Sequence, residues 1–133
     1  DLIFPKKKKI IFQTNNANIS ENMNNLVINT KSGTIVKYID ADNFTSADIN
    51  ASGSGIKLYF DKAIINPHGA VVNLNLTCTR LELYLPRTWQ VTDNFENTLS
   101  SMSVSGNDKR AITDTVVSLQ GKIKFSRVKI IYI

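Results

Sequence analysis

The sequence predicts an all-β chain folded as one short β-solenoid, in which coils of 21–25 residues stack on one another. Two observations indicate this architecture. Apolar residues recur at every second position in several stretches, and a period of two is typical of strands that bury one face. One stretch is also repeated along the chain at an interval typical of solenoids, roughly 20 to 50 residues. At 133 residues, the chain suffices for one domain, which we take to span 1–133.

The alternating stretches cover most of the chain. Helical spacing is hard to find, and the one candidate turn of helix, ENMNNLV, is weakened by adjacent asparagines. The alternating apolar positions are Ile10 and Phe12; Ile56, Leu58 and Phe60; Val72, Leu74, Leu76 and Cys78; Leu81, Leu83 and Leu85; Val117 and Leu119; Ile123 and Phe125; and Val128, Ile130 and Tyr132.

The repeat is clearest in the first half of the chain. INTKSGTIVKYID (28–40) and INASGSGIKLYFD (49–61) superpose without a gap at an offset of 49 − 28 = 21 residues. A further step of 74 − 49 = 25 residues places Leu74 after Ile49. We therefore expect Ile28, Ile49 and Leu74 to form one inward ladder across three stacked coils.

The corners of the coils are indicated by changes of phase. Where the alternation takes an odd step, the inward residues would turn outward unless the chain bends. Two such bends are predicted at Thr79–Arg80 and Ser126–Arg127. The equivalent stretch of the second coil contains Gly53 and Gly55, which bend easily. By the same register, Cys78 should point inward as a small buried hydrophobe.

The two ends of the stack differ. Lys37 takes the ladder position that is apolar in later coils, where it is held by Leu58, Leu83 and Ile130. A lysine is costly inside a ladder unless it reaches water, so the first coil should be a polar cap. The closing strand VKIIYI has no such cap. We expect an exposed edge there, through which two copies of the chain could form a homo-oligomer.

The net charge of +5 is unevenly distributed. Four of the sixteen basic residues are consecutive: Lys6, Lys7, Lys8 and Lys9. Such a run is a solvated chain end, a nucleic-acid patch or a contact with an anionic membrane surface. Only Phe4 and Phe12 flank the run as stacking residues, so nucleic acid is disfavoured as a partner.

No catalytic, cofactor or metal site is predicted, and we do not expect an enzyme. The single His68 lies in INPHG, which is typical of a turn, and the single Cys78 cannot form an intrachain disulfide. Asp40 and Asp61 stack one coil apart by the repeat register. Two carboxylates so close could share a proton or bind a cation, but turn residues that accept backbone hydrogen bonds are the simpler interpretation.

The block YFDKAIINPHGAVVNLNLTCTRLELYLPRTWQV resembles the C-terminal domain of LiaF-like proteins, the cell-wall-active antibiotic response proteins of low-GC bacteria. The resemblance covers roughly residues 56–133 and departs at Ser126, where the family usually has glycine. Its pattern is carried here by Asp61 and Ala63; Val72 to Leu76; Tyr84, Leu85, Pro86, Trp89 and Val91; and Leu119, Gly121, Phe125, Val128 and Ile130.

The resemblance implies a regulatory function. LiaF-like proteins carry membrane helices ahead of this domain and negatively regulate a two-component histidine kinase that senses cell-envelope stress. It implies no catalytic residues. Pro86 and Trp89 are interpreted as structural, with Pro86 ending a strand and Trp89 covering an open coil end.

The expected setting is the cell membrane. We expect the chain to be excised from a membrane-anchored protein, with residues 1–9 as a basic juxtamembrane lead-in that includes Lys6 to Lys9. Lysines beside a membrane helix favour the cytoplasmic face, where anionic lipids attract them. The expected partners are a histidine kinase or another membrane protein, and the anionic membrane surface. The alternative is a surface or adhesin-like β-solenoid that binds glycan or another protein.

Overall fold

The fold is all-β, as predicted. The computed structural model describes residues 18–19, 23–106 and 115–133, and among these no helix occurs. The strands are β1 (Asn18–Ile19), β2 (Asn25–Thr30), β3 (Gly33–Tyr38), β4 (Ser46–Ser52), β5 (Ser54–Tyr59), β6 (Ala70–Thr77), β7 (Arg80–Leu85), β8 (Gln90–Thr98), β9 (Ser101–Ser105), β10 (Val116–Lys124) and β11 (Arg127–Tyr132).

The strands form two sheets. Sheet A has the order β1-β2-β4-β6-β10-β8, and sheet B has the order β3-β5-β7-β11-β9. All neighbours pair in parallel except β1 and β2, which are antiparallel. From β2 onward, consecutive strands alternate between the sheets, so the described strands β2 to β11 form five units with one strand in each sheet. We number them unit 1 (β2, β3), unit 2 (β4, β5), unit 3 (β6, β7), unit 4 (β8, β9) and unit 5 (β10, β11).

The last unit lies inside the stack. Strand β10 pairs with β6 and β8, and β11 pairs with β7 and β9, so unit 5 separates units 3 and 4. The prediction that the C-terminal strand is an exposed edge is therefore wrong. The chain passes over one strand position between β7 and β8, and its C-terminal unit fills that position. Strands β8 and β9 form the sheet edges at this end of the described residues.

The inward ladders agree with the predicted register. Ile28, Ile49 and Leu74 lie side by side on β2, β4 and β6, and all three are buried. On sheet B, Leu83 pairs with Leu58 on one side and Ile130 on the other. Each of these side chains is at most 2% exposed, and burial stabilises the fold by about 1.5–3 kcal/mol for each leucine or isoleucine.

Polar residues occur at both ends of the ladders. Lys37 lies in register with Leu58 on β3, an edge strand of sheet B, and is partly exposed, which confirms its predicted position. At the other end, Asp93 lies beside Leu119 and Asn97 beside Ile123, and both polar side chains are exposed. Because unit 4 places these polar residues at inward positions, its sequence does not alternate as the other units do.

Three aromatic side chains pack together in the core. Trp89 is 3% exposed, stacks on Phe44 with 5.9 Å between ring centroids, and packs at an angle on Phe60 at 5.6 Å. These residues come from the segments that lead from sheet B back to sheet A. Trp89 therefore has a packing role, but it lies within the core and does not cover an open coil end.

Gly121 interrupts the ladder that contains Leu74. It pairs with Leu74 on β6, and its φ angle of 108° is in the region that favours glycine. A Cβ at this position would overlap the Leu74 carbonyl oxygen. The backbone of β6 thus approaches β10 more closely here than a side chain would permit.

Replacing Leu83 by alanine should lower the free energy of unfolding by about 2–5 kcal/mol, because the substitution removes burial and leaves a cavity. Val104 continues the same ladder on β9 but is 42% exposed, so Val104→Ala should cost less than about 1 kcal/mol. Urea unfolding of both variants measures the difference. Equal losses of stability would show that the ladder is assigned incorrectly.

Two glycines provide a second comparison. Gly121→Ala should destabilise the fold by about 1–3 kcal/mol from backbone strain alone, with steric overlap adding to this. Gly55→Ala should leave stability unchanged or raise it by about 0.4–1 kcal/mol, because a Cβ there meets nothing within 4 Å. Thermal and urea unfolding would test both; a neutral Gly121→Ala would contradict the close approach of β10 to β6.

Candidate functional site

The corners between sheet A and sheet B have an unusual backbone. At four of the five corners, one residue between the two strands adopts a left-handed conformation: Gly53, Cys78, Leu99 and Phe125, with φ angles of 58°, 51°, 51° and 50°. At the first corner, Gly33 has a positive φ angle of 98°. Left-handed conformations are unfavourable for leucine and phenylalanine, at a cost of about 1 kcal/mol or more. The predicted bends near residues 79 and 126 are confirmed to within one residue.

At three of these corners, the left-handed residue directs a side chain to solvent. Cys78 is exposed, so the prediction that it is buried is wrong; Thr79, which is 3% exposed, takes the inward position. Leu99 and Phe125 are 79% and 55% exposed. Since units 3, 5 and 4 are neighbours in that order, these three side chains form a row, which we call the corner ridge (Cys78, Phe125 and Leu99).

A ladder of hydroxyl groups lies directly behind the ridge. Ser54, Thr79, Ser100 and Ser126 each follow a left-handed residue, and each hydroxyl donates a hydrogen bond to the carbonyl oxygen two residues earlier, at 2.8–3.1 Å. The hydroxyls also link the units. The Thr79 N–H donates to Ser126 Oγ at 3.1 Å, and the Ser126 N–H donates to Ser100 Oγ at 2.9 Å.

The hydroxyl ladder has a recognisable signal in the sequence. A serine or threonine follows the left-handed residue in SGS (52–54), TCT (77–79), TLS (98–100) and KFS (124–126). The side chain of Ser126 supplies partners for backbone groups at the corner, which a glycine could not do. These hydrogen bonds give a physical reason for serine at position 126.

An open groove of about 950 Å³ runs beside the ridge. It is lined by the ridge, by the hydroxyl ladder and by the first outward residues of sheet B. Among these, Arg80 and Arg127 lie side by side on β7 and β11, and the next positions along the row are Gly55 and Ser101. Neighbouring strands lie about 4.8 Å apart, and like charges on directly opposite residues repel, so this pair favours an anionic partner.

The outer face of sheet B carries a stack of tyrosines. The Tyr38 and Tyr59 rings are 4.6 Å apart at 14°, and the Tyr59 and Tyr84 rings are 4.2 Å apart at 8°. Tyr38 is 64% exposed, and the other two rings are partly exposed. The repeat aligned these tyrosines, but alignment alone did not indicate that they form an exposed aromatic surface.

Glu82 controls the ionisation of Tyr84. The Tyr84 hydroxyl donates a hydrogen bond to Glu82 Oε1 at 2.7 Å. This hydrogen bond, followed by burial and the negative charge of Glu82, raises the pKa of Tyr84 well above its ordinary range. The end of the stack at Tyr84 therefore remains neutral, and it lies beside a carboxylate.

The outer face of sheet A differs from that of sheet B, because its side chains are mostly amides and hydroxyls. Asn50 Nδ2 donates to Asn29 Oδ1, and Asn73 Nδ2 donates to Asp48 Oδ1, both at 3.0 Å. The neighbouring units are therefore linked by side-chain hydrogen bonds on this face. It carries polar rows in place of the exposed aromatic stack.

The other residues singled out from the sequence do not form a site. Lys6 to Lys9 lie outside the described residues. His68 is exposed in a turn, as predicted, and its backbone N–H donates to Asn66 Oδ1 at 2.8 Å. Asp40 and Asp61 are exposed just beyond the ends of β3 and β5. Within the described ranges, no three His, Cys, Asp or Glu residues are grouped so that they could hold a metal ion.

Comparison with family models, with curated proteins and with solved structures finds no match for this chain. In the part of the chain that the structure describes, no helix has the length and apolarity that a membrane span requires.

Glu82→Gln should lower the pKa of Tyr84, because the neutral amide no longer opposes formation of the tyrosinate. The folded-state pKa of Tyr84 exceeds that of the unfolded chain. Its stabilising contribution is therefore present below about pH 10 and is lost as the pH rises through the raised pKa. Ultraviolet titration of tyrosinate would show a late step that disappears in Tyr84→Phe and moves to lower pH in Glu82→Gln. A late step unchanged in Glu82→Gln would contradict this assignment.

Proposed function

We propose that this chain is a non-catalytic interaction domain, folded as a short β-solenoid in which each of the five units is one coil. In-register parallel pairing across both sheets supports this interpretation. In such an arrangement the inward ladders hold the coils together, and the outward rows of side chains are available for partners.

The tyrosine stack carries the proposal. Tyrosine is enriched at protein interfaces because it offers a large contact area with a polar tip. Here three rings are held at 4.2–4.6 Å from one another, so little side-chain freedom remains to be lost on binding. Lys57 and Lys129 lie on either side of Glu82 in the adjacent row, which makes the surface basic. The favoured partner is a protein surface that combines apolar and acidic groups.

The proposed biological role follows from the resemblance to LiaF-like proteins. The domain would belong to a membrane-anchored protein of the cell-envelope stress response in a low-GC bacterium. It would lie on the cytoplasmic face of the cell membrane and restrain a two-component histidine kinase. The tyrosine face of sheet B is the surface that we assign to the kinase or to another membrane protein.

The test uses the full-length protein in its own host, with a photo-crosslinking residue at one of two exposed positions. Ser103 lies outward on sheet B beside Lys129, and Asn94 lies outward on sheet A beside Gln120. We expect crosslinks to a histidine kinase from Ser103 and none from Asn94. Replacing Tyr38 and Tyr59 by serine should raise kinase-dependent reporter output without stress, because the restraint on the kinase is weakened.

The same experiment distinguishes the second candidate function, a surface or adhesin-like solenoid that binds glycan or another protein. The amide-rich outer face of sheet A favours this candidate, because amides can hydrogen-bond to sugar hydroxyls. Crosslinks from Asn94 alone to a surface component, with unchanged reporter output in the tyrosine variant, would support the second candidate and contradict the kinase role.

A further inference from the structure

The corner ridge exposes apolar surface in a conformation that its residues do not prefer. Thr98 and Lys124 are paired on β8 and β10, so Leu99 and Phe125, which follow them, lie next to each other on neighbouring units. Both are more than half exposed, and both have a left-handed backbone. Asparagine or glycine would suit such a corner better, and neither would expose apolar surface to water. The contacts among the described residues give no reason for leucine and phenylalanine here.

Positive charge surrounds the ridge. Between residues 122 and 129, every outward residue of unit 5 other than Phe125 is cationic: Lys122, Lys124, Arg127 and Lys129. Two of these have a carboxylate on the neighbouring strand, since Lys122 is paired with Glu96 and Lys129 with Glu82. The two cations nearest to Phe125 have no carboxylate at the paired positions on the neighbouring strands. Lys124 is paired with Thr77 and Thr98, and Arg127 is paired with Arg80 and Ser101.

We propose that the corner ridge inserts into an anionic lipid bilayer, with Leu99 and Phe125 below the headgroups and Arg80, Lys124 and Arg127 on the lipid phosphates. A row of apolar side chains with cations on both sides matches the order of layers at a membrane surface, where phosphates lie above hydrocarbon. Single-stranded nucleic acid is the weaker candidate, because aliphatic Leu99, which is more exposed than Phe125, offers no ring for a base to stack on.

The ridge and the tyrosine stack are separate surfaces. Arg80 begins β7 beside the ridge, whereas Tyr84 lies near the other end of that strand. The domain could therefore contact a membrane through the corner while sheet B contacts a protein. The membrane proposal does not depend on the kinase role, and each can fail without the other.

The first test measures sedimentation of the 133-residue chain with phosphatidylcholine vesicles, with and without phosphatidylglycerol. We expect binding only to the anionic vesicles. Replacing Leu99 and Phe125 together by asparagine should lower the partition coefficient by at least about tenfold, because apolar insertion is lost. Asparagine accepts the left-handed conformation, so the variant should fold with unchanged or greater thermal stability.

The matched control is Ile64→Asn. Ile64 is 62% exposed on the segment between β5 and β6 and does not belong to the ridge. Its substitution should change the partition coefficient by less than about twofold if apolar insertion is confined to the ridge. A ridge variant that binds as well as the unaltered chain, or a loss as large in Ile64→Asn, would overturn the proposal.

The contribution of the two arginines to vesicle binding is tested separately. Arg80→Gln and Arg127→Gln should each weaken binding to anionic vesicles by about fivefold, and high salt should weaken binding of the unaltered chain. Arg87, which is exposed on the segment between β7 and β8, is the matched control, and Arg87→Gln should have little effect. Equal binding to vesicles with and without phosphatidylglycerol would also overturn the proposal.

A spectroscopic measurement reports insertion directly. Phe125→Trp places an indole at the ridge, and its fluorescence should shift to shorter wavelength with anionic vesicles, while the buried Trp89 should not respond. Ile64→Trp should show no shift. If Phe125→Trp shows no shift, or if the chain binds a single-stranded oligonucleotide but no vesicle, the ridge is not a membrane-insertion site.

Discussion

In-register parallel pairing is the constraint on which the rest of this structure depends. Each inward residue lies beside its counterpart in the next unit, as in the row of Leu58, Leu83 and Ile130. One register therefore determines both the buried ladders and the outward rows, because a shift by one residue would turn every ladder outward. The same register that buries Leu83 brings the tyrosines into a stack and the two arginines beside each other.

The hydroxyl ladder allows the register to continue around the corner. A left-handed residue reverses the phase of alternation, and the serine or threonine after it takes the inward position. Its hydroxyl donates to one backbone carbonyl oxygen and, at Ser126 and Ser100, accepts from an N–H of the neighbouring unit. Buried polar groups at the corner thus find partners without interrupting the core. The arrangement also places the side chain of the corner residue in solvent. A functional surface can therefore project from the corner while the adjacent ladder stays buried.

The placement of unit 5 brings the proposed functional groups together. Unit 5 supplies most of the cations around the ridge and separates Cys78 of unit 3 from Leu99 of unit 4. If the units followed one another in chain order, Arg80 would lie beside Ser101, and the two arginines would not be neighbours. The pairing of the two arginines therefore depends on unit 5 lying between units 3 and 4. The order of the units along the chain therefore does not by itself give the neighbours of each unit on this surface.

The sequence by itself determined the all-β class, the inward ladders, the burial of Leu83 and the polar position of Lys37. Alternation and repeat spacing are local properties, and they decide which face of each strand is buried. Only the tertiary structure decided that unit 5 lies between units 3 and 4, because apolar inward positions are similar in several units and do not specify a neighbour. It also decided that Cys78 and Phe125 point outward, because one left-handed residue changes the phase of alternation without altering the apolar pattern.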